Sequence, residues 1–286
     1  MTNNNGKQEA MISNRSMKLR MVASVLATVV FLSLEPSSSR SQTGAGASNS
    51  QGPAPAPAVL VELFTSEGCS SCPPADKLLA DLDQNQQVQG AQVIALSEHV
   101  DYWNRLGWKD PFSSADFSRR QAAYAQALGI EDFYTPQMIV DGRTEFVGSK
   151  RAAALEAITK AARTPKATIN LAIKTSEPKS MTLTIQVDNV PEVSRGDKAE
   201  VMLALAENGL VSKVSRGENS GRQLPHSAVT RKLTRIGAID GKGFRGEPNV
   251  QIESTWKRQN TSVVVFVQER TSRRVLGVAA IKLVDS

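Results

Sequence analysis

The chain has 286 residues, 40% of them hydrophobic and 22% charged, the proportions of an ordinary soluble globular protein long enough for two cores. Its formal charge of +6 does not point to nucleic acid, because five basic and two acidic residues fall in the first 41 and about +3 remains beyond them. Few aromatics are interleaved among the cations, and serine-hydrolase, nucleotide-loop and zinc-helix motifs are absent.

Lys18 and Arg20 precede an apolar stretch, Met21 to Leu34, of signal-peptide length and too short for a membrane span. Residues 1–41 are therefore expected to be a signal peptide, with Met17 as an alternative start and cleavage after Ser41 or Ala47. The protein would be exported, periplasmic or secreted, with no stable membrane span after cleavage. Residues 42–57 (QTGAGASNSQGPAPAP) read as a flexible linker. A strand is expected over 59–64, a helix over 73–83 and a strand from Gln92 to Ser97. A polar and aromatic insertion (98–114) follows, then a helix from Asp116 to Leu128. Strands Gln137–Val140 and Thr144–Val147 are joined at Asp141-Gly142, a strong hairpin signal. A helix from Ser149 to Arg163 completes a strand–helix–strand–helix–hairpin–helix order, which predicts an α/β sandwich over 58–165.

Beyond residue 166 the polar–apolar period becomes two. Strands are expected at Ala167–Thr175, Met181–Asp188, Glu200–Glu207, Val250–Trp256, Ser262–Gln268 and Val275–Leu283, a mostly antiparallel β-sandwich domain over 166–286. The halves also differ in charge, with ten basic and fourteen acidic residues over 42–165 against nineteen and twelve beyond. Lys213 to Lys232 (KVSRGENSGRQLPHSAVTRK) reads as a loop. Its first reading is a solvated hairpin with internal salt bridges; Arg216, Glu218, Asn219 and Arg222 also suit a binding loop or packing against the first domain.

The chemistry concentrates at Cys69-Ser70-Ser71-Cys72, the only cysteines, placed between a strand and a helix start. A disulfide there closes a four-residue loop and would stabilise by only about 2 kcal/mol through chain entropy, so it makes a poor staple. A dithiol/disulfide redox pair is the stronger reading. The segments FTSEGCSSCPPADKLLADL, HVDYWNRLGWKDPFSS, YTPQMIVDG and SRGENSGRQLPHSAVTRKL resemble the exported, thioredoxin-like family catalogued as domain-of-unknown-function family 1223. That resemblance covers most of the chain beyond the leader. It implies a thioredoxin-like sandwich for the first domain and names no substrate.

Cys69 precedes the helix, where the dipole and free N–H groups favour a thiolate, and is expected to attack; Cys72 would resolve the mixed disulfide. Thr135-Pro136 resembles the cis-proline loop facing such a pair. Glu62, in a strand expected to be buried on both faces, is a candidate proton carrier for Cys72, with a hydrogen-bonded structural role as the alternative. Glu67 reads as an exposed loop residue. His99 and Trp103 join Thr135 as candidate substrate contacts, although the first reading of His99 is a hydrogen-bonded structural residue. No cofactor is expected, and the partner would be a thiol- or disulfide-containing protein or small molecule. Two alternatives remain: a soft-metal (copper) site on Cys69, Cys72 and His99, and a non-catalytic envelope binding module.

Overall fold

Side chains along β1 (Ala58–Thr65) alternate between two layers, and the alternation organises the first half of the molecule. The computed structural model describes residues 56–241 and 243–283; the expected leader and residues 42–55 of the expected linker lie outside them. After β1 come α1 (Pro73–Asn85), β2 (Gln92–His99), α2 (Ala115–Leu128), β3 (Gln137–Val140), β4 (Thr144–Val147) and α3 (Arg151–Ala162). The second half supplies β5 (Thr168–Ser176), β6 (Ser180–Asp188), β7 (Ala199–Glu207), β8 (Leu210–Lys213), β9 (Gln223–His226), β10 (Val229–Ala238), β11 (Phe244–Gly246), β12 (Asn249–Gln251), β13 (Thr261–Glu269) and β14 (Val275–Lys282). Among the described residues no helix is long and apolar enough to cross a membrane.

The structure overturns the expectation of a thioredoxin-like α/β sandwich followed by a separate β-sandwich. Among the described residues strand outweighs helix, 42% against 21%. One mixed sheet of eight strands runs through both halves in the order β14-β13-β7-β10-β2-β1-β3-β4. The join is β10, which lies parallel to β2 with Val229 opposite Ser97, while the Ser97 N–H donates to the Ala228 carbonyl at 2.7 Å. β2 is buried on both faces, so an open outer edge would leave buried N–H and C=O groups unpaired; β10 pairs it at Ser97, and the Gln86 side chain bonds to the N–H and C=O of Val93. The sequence reading placed a loop over the start of this strand. Its period is broken by bulges between Thr230 and Lys232 and between Arg235 and Gly237, and by basic residues that mask the alternation. The expected strand Val250–Trp256 shrinks to β12.

The two faces of the sheet are covered differently. Val59, Val61 and Leu63 pack with Leu78, Leu79 and Leu82 of α1 and with Ala154, Ala157 and Ile158 of α3. On the other face Leu60, Ile94 and Leu96 meet Ala204, Ala206, Val264, Phe266, Val275 and Val278, which belong to strands of the second half. Only the end of this face is helical, where Tyr124 of α2 packs on Phe64 and Ile139. Strands therefore occupy space that a two-sided α/β sandwich gives to helices.

The sheet curls far enough to bring β14 onto β1. Asp141 ties them: its N–H donates to the Leu60 carbonyl, its carbonyl accepts from the Val275 N–H (each 2.9 Å), and its carboxylate accepts from the Leu60 N–H and from Lys166. Asp141 and Gly142 both have positive φ, 48° and 66°, the hairpin geometry that Asp-Gly favours. A Cβ on Gly142 would also collide with the Arg273 carbonyl. A second sheet, with β5 on one edge of β6 and β11 and β12 sharing the other, covers β7 and β13 through Met181, Leu183, Ile185, Val201, Leu203, Val263 and Val265.

Two outcomes follow from the shared core. Phe266→Ala in β13 should cost about 3–5 kcal/mol and lower the urea midpoint of the whole protein in one transition. A chain ending at residue 165 should show no cooperative unfolding by circular dichroism; a cooperative transition would mean that the first half folds alone.

Candidate functional site

Cys69 and Cys72 form a disulfide with Cα atoms 5.4 Å apart. The helix α1 starts here because Cys72 is its N-cap residue and Pro73, which has no N–H to lose, occupies the first turn. The Cys72 carbonyl accepts from the N–H groups of Ala75 and Asp76, at 2.8 and 3.1 Å. The Ser71 hydroxyl lies 3.3 Å from the Cys69 sulfur. Both cysteines are fully buried, although Ser70 and Ser71 between them are exposed.

The cysteine loop is bonded to the segment joining β8 to β9, residues 214–222. The buried Asn219 donates through Nδ2 to the carbonyls of Glu67 and Cys69, at 2.8 and 3.0 Å. Arg222 donates to its Oδ1 at 2.6 Å and so orients the amide. Glu218 accepts from the Ser70 N–H at 2.9 Å, and that bond lowers its pKa. The solvated hairpin expected first gives way to the alternative, packing against the first half.

Beneath the cysteine loop lies a buried cluster around the chain's two histidines. His99 Nδ1 is 2.7 Å from Asp110 Oδ2, and His226 Nε2 is 3.0 Å from Glu67 Oε1. The two rings meet edge to face with centroids 5.1 Å apart, and Phe112 packs on both. Glu67 also accepts from Trp108 Nε1 at 2.7 Å, and its N–H donates to Asp110 at 2.9 Å. Glu67 is thus buried and fully engaged, not the exposed loop residue expected. Burial works against a charge on His99, but Asp110, helped by Asp76 and Glu67, outweighs it and raises the imidazole pKa. Burial likewise works against the Asp110 carboxylate, and His99 with the N–H groups of Glu67 and Phe112 outweighs it and lowers its pKa. The remaining ring nitrogens, His99 Nε2 and His226 Nδ1, are buried without a partner.

Thr135-Pro136 is cis. Trp103 Nε1 donates to the Thr135 hydroxyl at 2.8 Å, and a Cβ on Gly68 would come within 3.1 Å of Trp103 Cβ, so Trp103 links this loop to the approach to Cys69. A Cβ on Gly148 would meet both Ala75 and Pro136, at 3.1 and 3.2 Å, which places Pro136 near the start of α1. Glu62 is not brought to the cysteines. It shares the face of Leu60 and Phe64, away from the α1 core. Its carboxylate accepts from Arg120 Nε at 2.7 Å and from the Tyr124 hydroxyl. Arg120 and Tyr124 bond in turn to Gln268 of β13. The acid on the cysteine side is Asp76, partly buried one helical turn after Cys72 and accepting from the Thr65 hydroxyl at 2.8 Å. Burial raises its pKa, with His99 the main opposing charge. The spacing of four from Cys72 was the signal that could have found it. For the alternative metal set, His99 is held by Asp110, and no three His, Cys, Asp or Glu side chains converge as a metal-binding group among the described residues.

Residues 60–268 match the profile of a family described as protein of unknown function (DUF1223). No curated protein matches the chain. Among solved structures, a structural-genomics protein of Agrobacterium tumefaciens is 26% identical with a TM-score of 0.62, over 82% of this chain and 98% of its own. HBP35 of Porphyromonas gingivalis shares the fold at 17% identity and a TM-score of 0.60, over 80% of this chain and 76% of its own.

Removing the Asn219 amide with Asn219→Ala deletes its bond from Arg222 and the two hydrogen bonds to the cysteine loop, about 1 kcal/mol each. At fixed dithiothreitol the disulfide should then be reduced up to roughly thirtyfold faster; an unchanged rate would show that this segment does not limit access. A second outcome concerns Glu98, buried beside Arg120 with neither oxygen hydrogen-bonded. Burial, against the pull of Arg120 and with Glu62 adding to the rise, holds its pKa well above the ordinary value. The folded state then keeps a proton that the unfolded state loses. This stabilises fully below the ordinary carboxylate pKa and is lost as pH rises toward the folded value. Glu98→Gln should therefore flatten the fall in stability above the ordinary carboxylate range, measured by urea unfolding across pH; a parallel curve would contradict it.

Proposed function

The chain belongs to the DUF1223 family, whose function is unknown, and from the site itself we propose that it is an exported thiol–disulfide oxidoreductase working through Cys69 and Cys72. The observation that carries this reading is the disulfide at the N-terminus of α1, joining cysteines three residues apart. Such a bond adds little stability and stands where the dipole of α1 favours a thiolate. The Ser71 hydroxyl at 3.3 Å from the Cys69 sulfur can donate to a thiolate there, which supports Cys69 as the attacking group. Thr135-Pro136 and Trp103 stand on the approach to the pair. Export is supported by the basic-then-apolar leader and fits a compartment in which a disulfide persists.

In the reduced protein, the Cys69 thiolate attacks one sulfur of a substrate disulfide. A Cys69–substrate disulfide forms, and the other substrate sulfur leaves as a thiolate. Cys72, having lost its proton, then attacks the Cys69 sulfur, releasing the second substrate thiol and re-forming Cys69–Cys72. Two electrons pass to the substrate, and a dithiol reductant must return them; run backward, the same steps oxidise substrate thiols. Glu62 has no part in this scheme. Asp76, one helical turn after Cys72 and with its pKa raised by burial, is the candidate for proton exchange on the cysteine side.

Cys72→Ser should accumulate mixed disulfides on Cys69, detected by mass spectrometry of a thiol-trapped extract, whereas Cys69→Ser should not. Equilibration with glutathione should give a potential between about −120 and −270 mV, the span of dithiol oxidoreductases; a value below about −300 mV is that of a structural bond. Equal trapping by both variants, or such a low potential, would overturn the reading.

A further inference from the structure

Between the start of α2, the insertion before it and the face of β10 lies a cavity of about 710 Å³, within the usual range for small-molecule sites. Its walls carry Arg119, Arg120, Arg231, Lys232 and Arg273 against a single carboxylate, Asp116. Asp116 is paired with Arg119, and Arg120 is taken up by Glu62. Three cations therefore remain.

Arg231 is the best placed of them. Its guanidinium sits between two aromatic rings, 5.3 Å from the Phe112 centroid and 5.4 Å from that of Trp256. This fixes its plane and limits the entropy lost when it binds. Its only acidic neighbour within ion-pair distance among the described residues is Glu207, at 3.7 Å from Nε, beyond hydrogen-bond range. Arg273 has a left-handed backbone (φ 62°), an uncommon state for a non-glycine residue that often marks a functional site. Its Nε is buried without a partner. Burial, and then the neighbouring Arg120, lower its pKa by more than Tyr124, Glu62 and Glu98 raise it. Thr230 is 1% exposed and its hydroxyl has no partner. Unpaired buried donors on a net-positive wall are costly to leave unsatisfied. Phe112, Phe117, Met202 and Leu233 supply apolar surface beside them.

We propose that this cavity binds a small organic anion: a carboxylate or phosphate, held by Arg231, Lys232, Arg273 and Thr230, on a flat apolar body. The site stands apart from the dithiol and does not depend on the redox reading. Phe112, which lines the cavity, also packs on His99 and His226, so an occupant would press on the cluster beneath the cysteine loop.

Isothermal titration of the oxidised full chain with phenyl phosphate, benzoate, inorganic phosphate and benzamidine tests this. At least one aromatic anion should bind, more weakly as salt rises, and whichever binds better identifies the head group. Inorganic phosphate should bind at least about tenfold more weakly, and the cation benzamidine should not bind. Arg231→Gln should weaken binding roughly ten- to hundredfold, the range for charge-assisted hydrogen bonds. The exposed Lys232→Gln and the near-isosteric Thr230→Val should weaken it as well, with unfolding midpoints close to that of the unaltered chain. Absence of binding by both aromatic anions, equal binding of benzamidine, or unchanged affinity in Lys232→Gln and Thr230→Val would overturn the proposal. Equal affinity for inorganic phosphate would overturn its apolar half.

Discussion

β2 is buried on both faces, and its outer edge has to be paired. The partner is β10, from more than a hundred residues further along the chain, and the contact is short: Val229 opposite Ser97, with the Ser97 N–H bonded to the Ala228 carbonyl. Much depends on it. β9 ends at His226, three residues before Val229, so the register that docks β10 also carries His226 to Glu67 and His99. The β8–β9 hairpin is held by the same anchor, and its connecting segment therefore lands on the cysteine loop, where Asn219 caps the carbonyls of Glu67 and Cys69.

The second consequence is a concentration of buried charge where the halves meet. Glu62 and Glu98 from the first half share Arg120, while Gln268 from β13 bonds to both Arg120 and Tyr124. Isolated buried ions are strongly unfavourable, and pairing of this kind only offsets the cost when the hydrogen bonds are nearly complete. Glu62 meets that condition. Glu98 does not, and burial, which Arg120 only partly offsets, keeps its pKa raised. This network holds the sheet faces together and leaves the chemistry of the cysteines to groups on the other side of β1.

The sequence made local features legible. The cysteine pair at a helix start, the Asp-Gly hairpin and the Thr135-Pro136 loop are each written in a few adjacent residues whose backbone demands are specific. What it hid was long-range. Nothing near Asn219 shows that it reaches a carbonyl 152 residues away. Glu67 looked exposed because its partners, Trp108 and His226, are brought in by an insertion and by a distant strand. β10 was obscured by its bulges and basic side chains. Glu62 was correctly placed in a buried strand, yet the face it occupies follows from register, and a shift of one residue exchanges the faces. The boundary drawn near 165 followed a real change in periodicity, but that change does not separate the sheet.

A covered disulfide that takes part in exchange must be uncovered first, so the most direct measurement is its rate of reduction in the native protein against rising concentrations of a small dithiol. The rate should level off at a plateau set by the opening of residues 214–222. A rate that climbs linearly throughout would mean that the sulfurs are already accessible. A bond that resists reduction until the protein unfolds would mean that Cys69–Cys72 is structural, and either result would contradict a gated redox pair.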